Sequence, residues 1–219
     1  MKKDLTELVF ILDMSGSMSP LTDDTVGGFN SVLKEHRDGK GDVLVTTWLF
    51  NNESRMIHDR LPIADVPPLT EKDYSARGCT ALLDAIGGAI RHIAGIHRYA
   101  RQEDIPEHTV FVITTDGMEN ASHRFGAEEI RAKIRHEQEK YGWEFIFLAA
   151  NIDAVGTAEA YGIDRSRAVN YCGDEQGSSV MYESVSLAMH NVREKGSAAA
   201  DPCWRKKVDE DYRRRKNRE

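Results

Sequence analysis

Apolar and polar positions alternate along this chain in two distinct rhythms. Leu8–Leu12, Val43–Phe50, Thr109–Thr114 and Phe145–Ala150 are strand-length runs with few polar interruptions, as expected of strands buried on both faces. The second is also rich in β-branched and aromatic residues. Between these runs the apolar spacing changes to a helical period. Pro20–His36 places Val26, Phe29, Leu33 and His36 on one stripe, with Ser19-Pro20 as N-cap and first helical residue. Thr80–Ala100 turns Leu82, Ile86, Ala89, Ile90 and Ile93 inward, and Gly126–Tyr141 carries Ile130 and Ile134 on an otherwise polar helix. Ala168–Tyr171 reads as a short last strand. Ser178–Arg193 reads as a closing helix with Met181, Val185, Ala188, Met189 and Val192 in register. Asn51-Asn52 predicts a tight turn into Ser54–Asp59, hence an antiparallel hairpin. Residues 60–78, with three prolines, read as a loop. The alternation of strand and helix makes this an α/β chain with an open, mostly parallel sheet covered on both faces.

The 219 residues suffice for one such domain. A change of composition after Gly196 divides it into a domain over 1–194 and a charged tail over 195–219. The tail has nine Lys or Arg against five Asp or Glu, a net +4, which leaves −11 on residues 1–194 out of an overall −7. An acidic body has no surface for general nucleic-acid binding. The tail is expected to be a solvated helix or disordered, and dispensable for folding, although Trp204 and Tyr212 hint at docking. Cys79, Cys172 and Cys203 form no CxxC pair and no disulfide framework, which fits a reducing cytosol. No apolar stretch approaches the length of a membrane span, and the first residues lack the pattern of a secretory leader.

The candidate chemistry sits where the strands end. Asp13-Met14-Ser15-Gly16-Ser17 follows Leu8–Leu12 directly, and residues two apart in a locally extended loop point the same way. Asp13, Ser15 and Ser17 therefore offer three oxygens to one small, hard cation. One carboxylate and two hydroxyls leave most of a divalent charge uncancelled, so such a metal would seek another oxygen donor. Thr80, at a helix start, and Asp116, at the end of Thr109–Thr114, reach the same crevice if the two strands are neighbours at a reversal of strand order. Taken singly, Thr80 also reads as a helix cap and Asp116 as a turn residue.

In this order, Asp13, Ser15, Ser17, Thr80 and Asp116 resemble the metal-ion-dependent adhesion site (MIDAS) of von Willebrand factor A domains, including those of intracellular prokaryotic proteins. The resemblance covers about residues 5–194. It implies a doubly wound, Rossmann-like sheet of about six strands with one antiparallel edge strand and helices on both faces. It also implies Mg²⁺ (or Mn²⁺) held by the Ser and Thr hydroxyls, with the two Asp often acting through water. An open position would then take a Glu or Asp from a partner protein. One departure stands out: Cys79 occupies the position before Thr80 where the family usually has glycine. The resemblance further implies that the closing helix shifts on ligation.

The function expected is a cytosolic, metal-dependent protein-binding module without catalysis. The alternative is a Mg²⁺-dependent phosphohydrolase with Asp13 as nucleophile, but it needs an acid two residues later, where Ser15 stands. A third reading is a structural subunit with a vestigial site. His92, His97 and His136 read as surface residues. Glu119 and Asn120 read either as the rim of the site or as solvated loop, and Met14 and Met18 as packing rather than partner contacts.

Overall fold

The computed structural model describes residues 1–39 and 41–217. Its elements are β1 (Lys2–Asp13), α1 (Thr22–Arg37), β2 (Asp42–Phe50), β3 (Ser54–Pro62), α2 (Leu82–Tyr99), β4 (Pro106–Thr115), α3 (Ala127–Tyr141), β5 (Glu144–Ala149), α4 (Ala154–Ala160), β6 (Ala168–Asn170), α5 (Glu175–Lys195) and α6 (Lys206–Lys216). The six strands form one sheet in the order β3-β2-β1-β4-β5-β6. β3 pairs antiparallel with β2 at the edge, and every other pairing is parallel. This is the doubly wound architecture expected. Strand order reverses between β1 and β4, which pair through Leu12↔Thr114 at their carboxyl ends.

β1 shows why the central strands are apolar throughout. Leu8, Phe10 and Leu12 face a core shared with α1 and α5, while Val9 and Ile11 face a second core shared with α2, α3 and α4. Each strand residue thus meets a helix layer on one side or the other. On the first face Phe10 meets Phe29 edge-on, 5.0 Å between ring centroids. α1 also approaches α5 so closely that a Cβ on Gly28 would lie 1.9 Å from the Tyr182 ring.

The structure departs from the sequence pattern in four places. The first helix starts later than Ser19-Pro20: residues Gly16–Leu21 form a 3₁₀ turn, and α1 begins at Thr22. Ser17, at the start of that turn, donates its hydroxyl to Asp116 in the loop after the neighbouring strand. α4 lies in a stretch to which the sequence pattern assigns no element. Its N-cap is Asp153, whose carboxylate accepts the Gly156 N–H, but seven small and polar residues leave little periodicity to read. His97, expected at the surface, reaches inward to Glu7, which is fully buried on β1. His97 Nε2 lies 2.6 Å from Glu7 Oε2, and Arg60 of β3 donates to the other carboxylate oxygen at 2.6 Å. His92, by contrast, is a rim residue, its Nε2 2.8 Å from Asp59.

The fourth departure corrects the tail. Ala198, Trp204 and Val208 belong to the same buried cluster as α1 and α5, with Trp204 only 2 % exposed. Asn191 of α5 donates to the carbonyls of Ala198 and Asp201. Arg215 of α6 binds Asp174, the N-cap of α5, and Gln176 binds Asp211 at 2.9 Å. Two or three apolar anchors suffice to dock a helix whose other residues are charged. No helix among the described residues is long and apolar enough to cross a membrane.

Candidate metal centre

The crevice forms where β1 and β4 end side by side. Asp13 closes β1 and has no solvent exposure. Its Oδ1 accepts the Ser15 N–H at 2.7 Å and its Oδ2 the Thr115 hydroxyl at 2.6 Å. The Tyr74 hydroxyl donates to the Asp13 carbonyl. Burial pushes the Asp13 carboxyl up to about 6, against the opposing pull of the Thr115 and Ser15 hydrogen bonds and with a further push from the charge on Asp116.

Asp116 lies just beyond β4 and is 5 % exposed. Ser17 donates to its Oδ1 at 2.6 Å, and Ser15 Oγ lies 3.2 Å from Ser17 Oγ. Burial raises the Asp116 carboxyl as well, with the Ser17 hydrogen bond opposing. Thr80 comes in from the third loop and is also buried. A Cβ on Gly117 would lie 3.3 Å from Thr80 Oγ1 and 3.5 Å from Ser17 Oγ, so both hydroxyls flank the same backbone position. The five residues singled out in the sequence therefore meet at one place.

Local backbone chemistry explains why Thr80 arrives there. Gly78, not residue 79, takes the left-handed conformation, at φ +78°, and a side chain there would collide with Asn52. The Gly78 carbonyl accepts the Gly16 N–H at 3.0 Å, and Asn52 Oδ1 accepts the Cys79 N–H at 2.9 Å. The departure at Cys79 is thus absorbed one residue earlier. Asn120 completes the clamp: its side chain accepts the Thr80 N–H at 2.9 Å and its own N–H donates to the Thr80 carbonyl at 3.1 Å.

Asn120 is therefore a positioning residue, and Glu119 is neither rim nor solvated loop. Its carboxylate accepts the Leu83, Ala121 and Ser122 N–H groups, which places negative charge at the start of α2. Met14 and Met18 are buried core residues. Sequence reasoning missed Thr115 and Tyr74, the two groups that fix Asp13. A polar residue closing a buried strand was a signal for Thr115. Tyr74 lies in the proline-containing loop and gave none.

The donor set can be tested against a cation. It offers two carboxylates and three hydroxyls, all hard oxygens, and these suit Mg²⁺ or Mn²⁺ better than a soft metal. Among the described residues no group of three or more His, Cys, Asp or Glu is arranged to hold a metal ion. The residues present fit a hard divalent ion.

The fold is that of von Willebrand factor A domains. No protein-family profile matches the sequence, and no curated protein matches it. Solved structures do match in three dimensions. Proximal thread matrix protein 1 from the mussel byssus, solved with a zinc-occupied MIDAS motif, aligns at TM-score 0.59 and 12 % identity over 85 % of this chain and 48 % of its own. A variant of the PilB minor pilin from Streptococcus sanguinis aligns at TM-score 0.61 and 9 % identity over 88 % of this chain and 63 % of its own. A von Willebrand factor type A protein from Catenulispora acidiphila aligns at TM-score 0.54 and 12 % identity over 84 % and 42 %. This chain spans less than two thirds of each.

Proposed function

We propose that the chain is a metal-dependent protein-binding module. Asp13, Ser15, Ser17, Thr80 and Asp116 would hold Mg²⁺ (or Mn²⁺), and a partner protein would present an Asp or Glu carboxylate to it. The observation that carries this reading is the junction of two loops within hydrogen-bond distance, Ser15 to Ser17 to Asp116, with Thr80 of a third loop flanking the same backbone position at Gly117. The ion, once bound, supplies a Lewis-acidic centre for an anionic donor. Three of the five donors carry no charge, which leaves that centre attractive to one more carboxylate. The zinc-occupied motif of the mussel protein supports the same reading by analogy. A cytosolic location is part of this proposal.

The absence of catalysis is also part of it. Asp13 has both oxygens committed, to Ser15 and to Thr115, and no exposure. A nucleophilic carboxylate needs an oxygen aimed directly at its substrate, whereas an Asp held by Ser15 and Thr115 would act on the cation through water.

The test is a calorimetric titration of the full chain with Mg²⁺ and Mn²⁺, followed by partner capture with and without chelator. Saturable metal binding and chelator-sensitive capture are expected. Absence of metal binding would reduce the crevice to a structural junction. Mg²⁺-dependent turnover of p-nitrophenyl phosphate, lost in Asp13→Asn, would establish the hydrolase instead.

A further inference from the structure

α2 and α3 are close at the crevice end of the sheet and part at the other end. A Cβ on Gly87 would come within 2.6 Å of the Phe125 ring, whereas one on Gly95 would meet nothing within 4 Å. Where the helices separate, a cavity of about 460 Å³ opens beside the first residues of β4. Small-molecule sites typically occupy about 300–1,000 Å³.

Its lining is ordered by chemistry. Trp143, stacked on Phe111 with centroids 5.3 Å apart, and Tyr141 supply aromatic walls. Arg98 and Lys140 are exposed cations at the mouth. Two carboxylates share this lining: Glu107, which accepts the Asp4 N–H at 2.9 Å, and Glu137. Glu137 is 7 % exposed, its Oε2 is buried without a hydrogen-bond partner, and no ion pair reaches its side chain among the described residues. Burial raises its carboxyl, while His136, His97 and Lys140 pull the other way without bonding to it. A buried carboxylate left without donors is costly, and native proteins rarely leave one so.

A ligand that completes this site has N–H donors at one end, a flat ring in the middle and an anionic group at the other end. We propose that the cavity binds a purine nucleotide of the guanine type. The ring N–H and exocyclic amine pair with the Glu137 carboxylate, the base lies beside Trp143 and Tyr141, and the phosphate meets Arg98 and Lys140. Adenine fits less well, because its ring nitrogen presents a lone pair to the carboxylate where guanine presents a proton. The site shares no residue with the Asp13 crevice and is independent of the metal reading.

The experiment is calorimetric titration of the full chain with GMP in the presence of EDTA, which leaves any divalent ion out of the comparison. Saturable binding at roughly 1 mM or tighter is expected. AMP should bind at least about tenfold more weakly, and Glu137→Gln should remove that preference, since an amide offers one acceptor and one donor to two N–H groups. Glu137→Gln should not lower the melting temperature, because it removes a buried unpaired charge. Ala94→Phe, which fills the cavity, should abolish GMP binding while the circular dichroism stays native. Failure of GMP to saturate the wild-type chain overturns the proposal. So does equal binding of GMP and AMP that inorganic phosphate displaces, because phosphate attraction alone would then explain it.

Discussion

The Ser17 hydroxyl donates to Asp116 Oδ1 at 2.6 Å across 99 residues of sequence. This one bond joins the loop after β1 to the loop after β4 at the place where strand order reverses. A cation entering between them would replace that proton-mediated contact with its own. Ser17→Ala and Asp116→Ala should therefore each weaken Mg²⁺ binding at least about tenfold while the fold persists, since these loops hold no core side chain at either position. Calorimetry with a parallel thermal melt checks this. Unchanged affinity in both variants would remove these residues from the site.

Thr115 is fully buried and holds one oxygen of Asp13 at 2.6 Å. Thr115→Val keeps the shape and deletes the donor. Outer partners of metal-binding carboxylates are worth roughly 10–100-fold in affinity. A loss of that size is expected in a Mg²⁺ titration, with a small change in melting temperature. Because Asp13 is fully buried, a large fall in stability with unchanged affinity would make Thr115 a structural partner only.

Trp204 tests the C-terminal segment. Its side chain is 2 % exposed in the core shared by α1 and α5. Trp204→Ala should cost about 3–5 kcal/mol, the range for deleting a large buried aromatic ring, and truncation after Gly196 should cost at least as much. Denaturant unfolding measures both. A truncated chain as stable as the whole would return residues 197–219 to the status of a dispensable tail.

His36 carries a pH dependence whose sign is fixed by its surroundings. Arg193 donates to its Nδ1 at 3.2 Å, which leaves the proton on Nε2 to face Ser186 Oγ at 2.9 Å. Burial, with help from the neighbouring His190 and Arg193 charges and against the pull of Glu35, lowers its pKa from 6.5 to about 4. Between these values the unfolded chain binds the proton that the folded chain refuses. His36 stabilisation is therefore complete above pH 6.5 and is lost as pH falls toward 4, by up to about 3 kcal/mol. Asp13, raised to about 6, acts with opposite sign in its own window. The decisive measurement is the difference in pH slope between wild type and His36→Gln, which cancels Asp13. Parallel slopes would show that His36 is not held neutral.

α5 is tied at several points: Ser186 to His36, Asp174 to Arg215, Asn191 to the Ala198 and Asp201 carbonyls. If ligation moves this helix, α6 must travel with it. Hydrogen exchange should then change over 178–193 and over 206–216 together when partner binds. Protection changing in α5 alone would show the two helices uncoupled.

The sheet and the oxygen set were legible because each leaves a local mark. Central strands buried on both faces are apolar throughout, and Asp13, Ser15 and Ser17 fall within five residues. What escaped depends on distant partners. Glu7 reads as a solvent-facing charge until Arg60 and His97, 53 and 90 residues away, close on it. Glu119 and Asn120 reveal their roles only once the start of α2 lies against them. Trp204 could be seen as apolar but not placed, since nothing around it in sequence repeats at a helical period.

The pairing of β1 with β4 also sets an order of events in the life of the chain. β1, α1, β2 and β3 are consecutive and can associate early, each closing a short loop. β4 must then return to the centre of the sheet across the long span between them, the kind of non-local closure that slows folding. Until it docks, Ser15 and Ser17 have no Asp116 opposite them. The crevice thus exists only once β4 has docked on β1, and it is lost when β4 loosens. A cation that binds there cannot template folding, but it selects the finished chain and holds it by mass action.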